Sequence, residues 1–307
     1  MLTLAKITQP NFQKLAKATE VSQFITIPFS HYVEYARWCM QYKSINFIEY
    51  GYCPLQHVLP VLSIRVSGPD LHISDSSRMV KVLPDGTAEV LSERTKKKIG
   101  ATAVPILVTP EGVVCRDSWE IVEYSFLGVT GISAELRHTL DEEIGPLSRQ
   151  LIYSYLLAQR NHDLSEKMFL SGCGFLFIII WKLFLGFLVR SNLRSSMRSE
   201  DPTAVAHCKT RLKRAFERVG VELQNKKTIF LGGDSPGPVD FAIAALSAPV
   251  VAPREYCLGR YVSIFDEIER TDPEYRREVE YWRNTIVGQH CLMMYRNYGS
   301  AVEEITK

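Results

Sequence analysis

Three short groups of residues could do chemistry. Ser30 follows an extended segment, Phe-Ile-Thr-Ile-Pro at 24–28, and opens a helix. A hydroxyl there, beside helix N–H groups, can donate to an anion; it can equally serve as a plain N-cap. His31 is next to it and titrates near neutrality when unperturbed, and it is expected to face solvent or a second domain. Asp117 and Ser118 open another helix. An acid beside a hydroxyl and exposed helix N–H groups complements both charges of a free α-amino acid end. The same residues also read as a capping box, since Asp117 and Glu120 have the required spacing. Pro105 follows Val104 at the head of a strand, where an ordinary trans proline would also be at home.

These residues need elements to position them. Residues 24–28 read as a strand stopped by Pro28. Tyr32, Ala36, Cys39 and Met40 then fall on one helical face, and Ile45–Tyr50 is a second strand. Strand, helix, strand at this spacing is a βαβ unit with parallel strands. Residues 66–98 are polar, with a Pro84-Asp85-Gly86 turn and a Lys96-Lys97-Lys98 run, and read as a surface insertion that could hold a hairpin. Residues 104–108 and 113–115 form strands around a Pro110-Glu111-Gly112 turn, and a helix follows from Ser118 to Leu127. Gly128 to Ser133 reads as a linker. Beyond it every signal is helical: Phe241, Ala244, Ala245 and Ala248 form one stripe behind Pro238, and Val279, Trp282 and Ile286 form another.

Composition narrows the class. The chain has 307 residues, enough for about two domains. Its 36 basic and 34 acidic residues leave a net charge of +2, which argues against a nucleic-acid binder. Seven cysteines without a CxxC pair support neither zinc nor a redox motif. Reduced thiols in a cytoplasmic setting are the expectation, and no metal constellation is visible. Residues 1–19 have no long apolar run of the secretory kind, while Lys6, Lys14 and Lys17 without acids keep an organellar presequence open.

Five motifs in order resemble the glutathione transferase superfamily. Ser30-His31-Tyr32-Val33-Glu34-Tyr35-Ala36-Arg37-Trp38 resembles the first-helix signature of a bacterial-type branch, Ser-His-Tyr-x-Glu-Lys-Ala-Arg-Trp. Residues 102–108 resemble the cis-proline strand, and Asp117-Ser118-Trp119-Glu120-Ile121 the start of the third helix. Gly233–Pro236 with Asp240-Phe241 resembles the conserved turn and helix of the second domain. Residues 283–288 resemble the C-terminal Arg-x-Thr-x-x-Gly. Two departures stand out: Tyr35 replaces a basic residue, and Gly237 replaces the Ser/Thr N-cap, leaving Asp240 to reach back to the backbone.

The resemblance implies an α/β thioredoxin-like N-terminal domain, with a mixed sheet built from βαβ then ββα, followed by an all-α C-terminal domain. The expected division is an extension at 1–20, a glutathione-binding domain at 21–130 with the insertion at 66–98, and a helical domain at 134–307. It further implies that glutathione is the co-substrate, that Ser30 stabilises its thiolate, that Val104 and a cis Pro105 align the peptide, and that Asp117 and Ser118 hold the γ-glutamyl end, with His31 as an auxiliary. The thiolate would attack an unknown hydrophobic electrophile or take part in related thiol chemistry. A homodimer is one expected assembly.

A second reading stays open: a non-catalytic, metaxin-like module that binds a partner or membrane. It draws on Phe169–Val189, about 21 residues and long enough to span a bilayer, flanked by Arg190, Arg194 and Arg198 at every fourth position. Lys182 and three glycines within the stretch argue for an in-domain helix instead. The basic residues from Lys209 to Arg218, Asp266-Glu267 and Glu303-Glu304 are expected to be solvated.

Overall fold

The computed structural model describes residues 21–67, 78–82, 88–93, 103–128 and 131–299. The chain divides into two compact units, Met1–Thr130 with Gly172–Gly174, and Gly131–Ser171 with Phe175–Lys307.

The first unit is thioredoxin-like. β1 (Ser22–Thr26), α1 (His31–Tyr42) and β2 (Phe47–Gly51) form the βαβ unit, with β1 and β2 parallel. β1 starts and ends two residues earlier than the sequence expectation, because Ser22 and Gln23 are buried in the sheet and Pro28 lies beyond it. β5 (Ile106–Val108) and β6 (Val114–Cys115) complete a sheet of order β2-β1-β5-β6. They meet through a tight turn in which Gly112 adopts φ +82°, a conformation that favours glycine. α3 (Ser118–Ser125) closes the unit, two residues shorter than expected. Ala36 and Met40 pack with Phe24, Leu107 and Ile121 in a core between α1, α3 and the sheet.

One helix was not legible in the sequence. α2 (Val58–Ser67) places Val61 and Ile64 in a second cluster with Ile25 and Ile106, while Leu59 and Leu62 are exposed. It takes the first two residues of the expected insertion. β3 (Arg78–Val82) and β4 (Ala88–Glu93) pair as the antiparallel hairpin of that insertion. The extension at 1–20, the Pro84–Gly86 turn, Lys96–Lys98, Thr102, Val129-Thr130 and Glu303-Glu304 lie outside the described residues.

The second unit is all-α. α4 (Ala134–His138) leads through a π-helical segment, Thr139–Ile144, into α5 (Gly145–Leu156), followed by α6 (His162–Phe169). α7 spans Phe175–Met197, with a π-turn at Trp181–Leu185. α8 (Pro202–Asn225), α9 (Pro238–Val251), α10 (Val262–Thr271), α11 (Pro273–Arg283) and α12 (Ile286–Met294) complete it. α9 is buried on every side rather than along the expected stripe, as an all-apolar helix must be. Asp240 holds its start: Leu231, Gly232 and Gly237 N–H groups all donate to its carboxylate at 2.9–3.0 Å.

The Val279, Trp282, Ile286 stripe is not one helix. The chain breaks at Asn284-Thr285, leaving Val279 and Trp282 buried in α11 and Ile286 exposed on α12. The Thr285 hydroxyl accepts from Gly288 N–H at 3.0 Å, and a Cβ on Gly288 would lie 1.9 Å from the Trp282 carbonyl oxygen. Arg283 donates to the carbonyls of Val251 and Ala252 at the end of α9. The Arg-x-Thr-x-x-Gly motif therefore turns the chain and ties down a helix C-terminus. The basic stretch 209–218 is partly paired rather than only solvated: Lys209 meets Glu278 at 2.6 Å, and Arg218 meets Glu143. Asp266 and Glu267 are in exposed pairs with Arg254 and Arg270.

Candidate functional site

Strand directions bring the candidate residues to one end of one sheet. β1 runs towards Ser30. β5 is antiparallel to it, with Ile106 opposite Ile25, so Val104-Pro105 lie where β1 ends. β6 is antiparallel to β5, with Cys115 opposite Leu107, so Asp117-Ser118 emerge at the same end. β2, parallel to β1, delivers Cys53 there as well.

Ser30 occupies the N-cap of α1 in an extended conformation, φ −78° and ψ 126°. Its N–H donates to Ile27 O at 3.0 Å and its carbonyl accepts from Glu34 N–H at 2.9 Å. Its hydroxyl makes no capping bond. The N-cap backbone is in place, but the side chain is not used as a cap. Of the two surroundings expected for His31, solvent is excluded: it is 3% exposed, with its ring 4.3 Å from that of Tyr32.

The Val104–Pro105 peptide bond is cis. The β1–β5 ladder begins only at Ile106, so Val104 stands outside it, half-buried against the Ile25–Ile106 cluster. Asp117 is the N-cap of α3, and its Oδ1 accepts from Glu120 N–H at 2.8 Å. Glu120 reaches back one residue further than a capping box requires, accepting from Arg116 N–H at 2.6 Å. The capping reading of Asp117 therefore holds for one carboxylate oxygen. Ser118 is buried.

The sequence reading missed the charges that hold this end of the sheet together. Arg37, 2% exposed, bonds Glu49 through Nε at 2.8 Å and Nη2 at 2.7 Å, and also pairs with Glu34. Thr26 Oγ1 donates to Glu49 at 2.8 Å. The network joins α1, β1 and β2. Its signal was present: Glu34 and Arg37 are an i, i+3 pair within an otherwise apolar helix. Tyr35 is fully buried with its ring edge-on to Trp119 at 5.0 Å, and it fills the α1–α3 contact.

The expectation of seven reduced thiols is corrected at two positions. Cys53 and Cys173 form a disulfide, and the other five cysteines are buried. Burial raises the thiol pKa of Cys39 and Cys115, and pushes those of Cys208 and Cys291 up to about 12. None of these four is an activated thiolate. Among the described residues, no three His, Cys, Asp or Glu side chains gather to hold a metal ion.

No protein-family model and no curated protein matches the chain. Solved structures do. A glutathione S-transferase from Methylobacillus flagellatus with glutathione bound aligns over 88% of this chain and 98% of its own, at 13% identity and TM-score 0.39. One from Ceriporiopsis subvermispora in complex with glutathione covers the same shares at 12% identity and TM-score 0.43. Glutathione transferase F7 from Populus trichocarpa covers 89% and 98% at 11% identity and TM-score 0.40.

Proposed function

We propose that the first unit binds glutathione and that the chain joins the glutathione sulfur to an apolar electrophile. A free thiol, with a pKa of about 8.5, is only a few per cent ionised at neutral pH. A hydroxyl donor at a helix N-terminus favours the anion and lowers that pKa. Ser30 supplies such a donor, and the observation that carries the reading is its uncommitted hydroxyl at the start of α1. The thiol proton leaves to solvent. The sulfur lone pair forms the new S–C bond, and the electrophile's leaving group departs with its electron pair. Val104 and Pro105 align the tripeptide as an added strand, and Asp117 and Ser118 meet the charges of the γ-glutamyl end. His31, buried against Tyr32, supports the start of α1. The proposal includes a cytoplasmic setting and a homodimer.

Calorimetric titration with glutathione, followed by conjugation of an activated aryl halide, tests it. Binding with turnover supports the reading. Absence of binding removes it, and binding without turnover favours the non-catalytic module. One observation favours that second reading: α7 exposes a long apolar face.

A further inference from the structure

α7 is the one helix among the described residues long and apolar enough to cross a membrane. It replaces the expected 169–189 span, because Phe169 ends α6 and is buried. Its exposed side chains follow a strict rhythm. The pairs Phe175 and Leu176, Ile179 and Ile180, Leu183 and Phe184, and Phe187 and Leu188 recur every four residues, between 38% and 79% exposed. They form one continuous stripe about 20 Å long at 1.5 Å per residue. Scattered exposed apolar residues are ordinary, but a contiguous stripe marks an interaction surface.

The other side of the helix is fastened to its own unit. Trp181 is fully buried, with the rings of Phe169 and Phe177 each 6.1 Å away. Gly186 closes over it, since a Cβ there would lie 2.7 Å from the indole nitrogen. Val189 is buried, and Arg194 donates twice to the Leu157 carbonyl. A helix held along one side cannot be sheathed in lipid all round. It can only lie in the plane of a bilayer surface with its free side immersed.

The stripe runs on into arginines. Phe187, Arg190, Arg194 and Arg198 line one open pocket of about 720 Å³, together with His162. Its acids are Glu200, 3.3 Å from Arg194, and Asp201, 2.5 Å from Arg198. Arg190 Nη1 is buried, 3.9 Å from its nearest acid, Glu166, whereas the Arg198 side chain is 67% exposed. An exposed ion pair such as Arg198–Asp201 contributes little, so a phosphate can compete for that guanidinium through charge-assisted bonds. The eight stripe residues carry no hydrogen-bonding side-chain group, whereas a protein partner needs about one hydrogen bond per 100–200 Å².

We propose that α7 docks the chain onto an anionic phospholipid surface, with the 175–188 stripe among the acyl chains and Arg198 on a headgroup phosphate. The proposal is independent of the glutathione reading, and its test does not read activity. The purified chain is floated with vesicles of phosphatidylcholine alone or with added phosphatidylserine. Wild type should float with the anionic vesicles, less so at high salt. Phe184→Glu with Phe187→Glu should lower partitioning at least about a hundredfold while leaving the circular dichroism spectrum and melting temperature unchanged, since both side chains are exposed. Arg198→Gln should reduce the preference for anionic vesicles about fivefold without changing binding to neutral ones. Wild type remaining unbound to both vesicles would overturn the proposal, as would equal binding by the double variant. So would a vesicle-blind dimer that Phe184→Glu splits, since the stripe would then seat a second copy. Release from the vesicles by detergent alone, never by alkaline wash, would overturn the in-plane placement.

Discussion

Ser30→Ala separates two roles for one hydroxyl. If Ser30 capped α1, its loss would cost about 1 kcal/mol of stability. In the structure the hydroxyl makes no capping bond, so alanine should leave stability within about 0.5 kcal/mol of wild type. The effect should appear on sulfur instead. Removing one hydrogen bond to a charged group costs about 1.5–3 kcal/mol, and each 1.4 kcal/mol is about tenfold in rate. Conjugation should slow roughly ten- to a hundredfold. The same loss raises the pKa of bound glutathione by about one to two units, at 1.36 kcal/mol per unit. Glutathione affinity, measured with the thiol protonated, should change far less, because Asp117, Ser118 and Val104 hold the rest of the peptide in this reading. The assays are urea denaturation, aryl-halide conjugation, and ultraviolet titration of the thiolate in the complex. An unchanged rate with an unmoved thiol pKa would refute the reasoning, and a stability loss alone would return Ser30 to the N-cap role.

Three further outcomes are expected. Arg37→Met removes the cation that Glu34 and Glu49 share in a buried site and should destabilise the fold by about 3–5 kcal/mol; a loss below about 1 kcal/mol in urea would show that the network carries no such weight. Burial holds the pKa of His290 down to about 4 from 6.5, against the opposing pull of Asp240 and with a smaller contribution from Lys226 in the same direction. Between these values the unfolded chain takes up a proton that the folded chain refuses, so stability present above pH 6.5 falls as the pH drops towards 4. His290→Gln should flatten that slope in denaturation curves measured across the window. Thiol titration of the denatured chain should count five groups before reduction and seven after, and a count of seven in both would show that Cys53 and Cys173 are unpaired.

Much of the first unit was legible because local signals and long-range pairing agree. The apolar run before Pro28 marks β1 to within two residues, the Tyr32-to-Met40 spacing falls within α1, and Gly112 marks the β5–β6 turn. α2 escaped because Pro60 sits near its start and Leu59 and Leu62 face out, so its apolar run shows no single face. Ile286 was joined to the wrong helix because helical spacing continues across Thr285, and only the approach of Gly288 to the Trp282 carbonyl reveals the break. At the candidate site, residue types and helix starts could be read, but their shared sheet end depends on register. His31 shows the limit: being first in a helix does not say which way a side chain turns. The Cys53–Cys173 pair, 120 residues apart, leaves no local trace.

That bond also makes the polymer a ring with two tails. The ring runs from Cys53 to Cys173 and contains α2 to α6 with all of β3 to β6. One tail carries Ser30 and the other begins just before α7. A protease that cuts a tail frees a fragment at once. A protease that cuts anywhere in the ring frees nothing, because both pieces remain joined through sulfur. On a gel without reductant the nicked chain keeps its full mass, and with reductant it falls into two. Ser30 lies in a tail while Val104, Pro105, Asp117 and Ser118 lie in the ring, so a chain nicked there still carries the whole constellation as one molecule until its sulfurs are reduced.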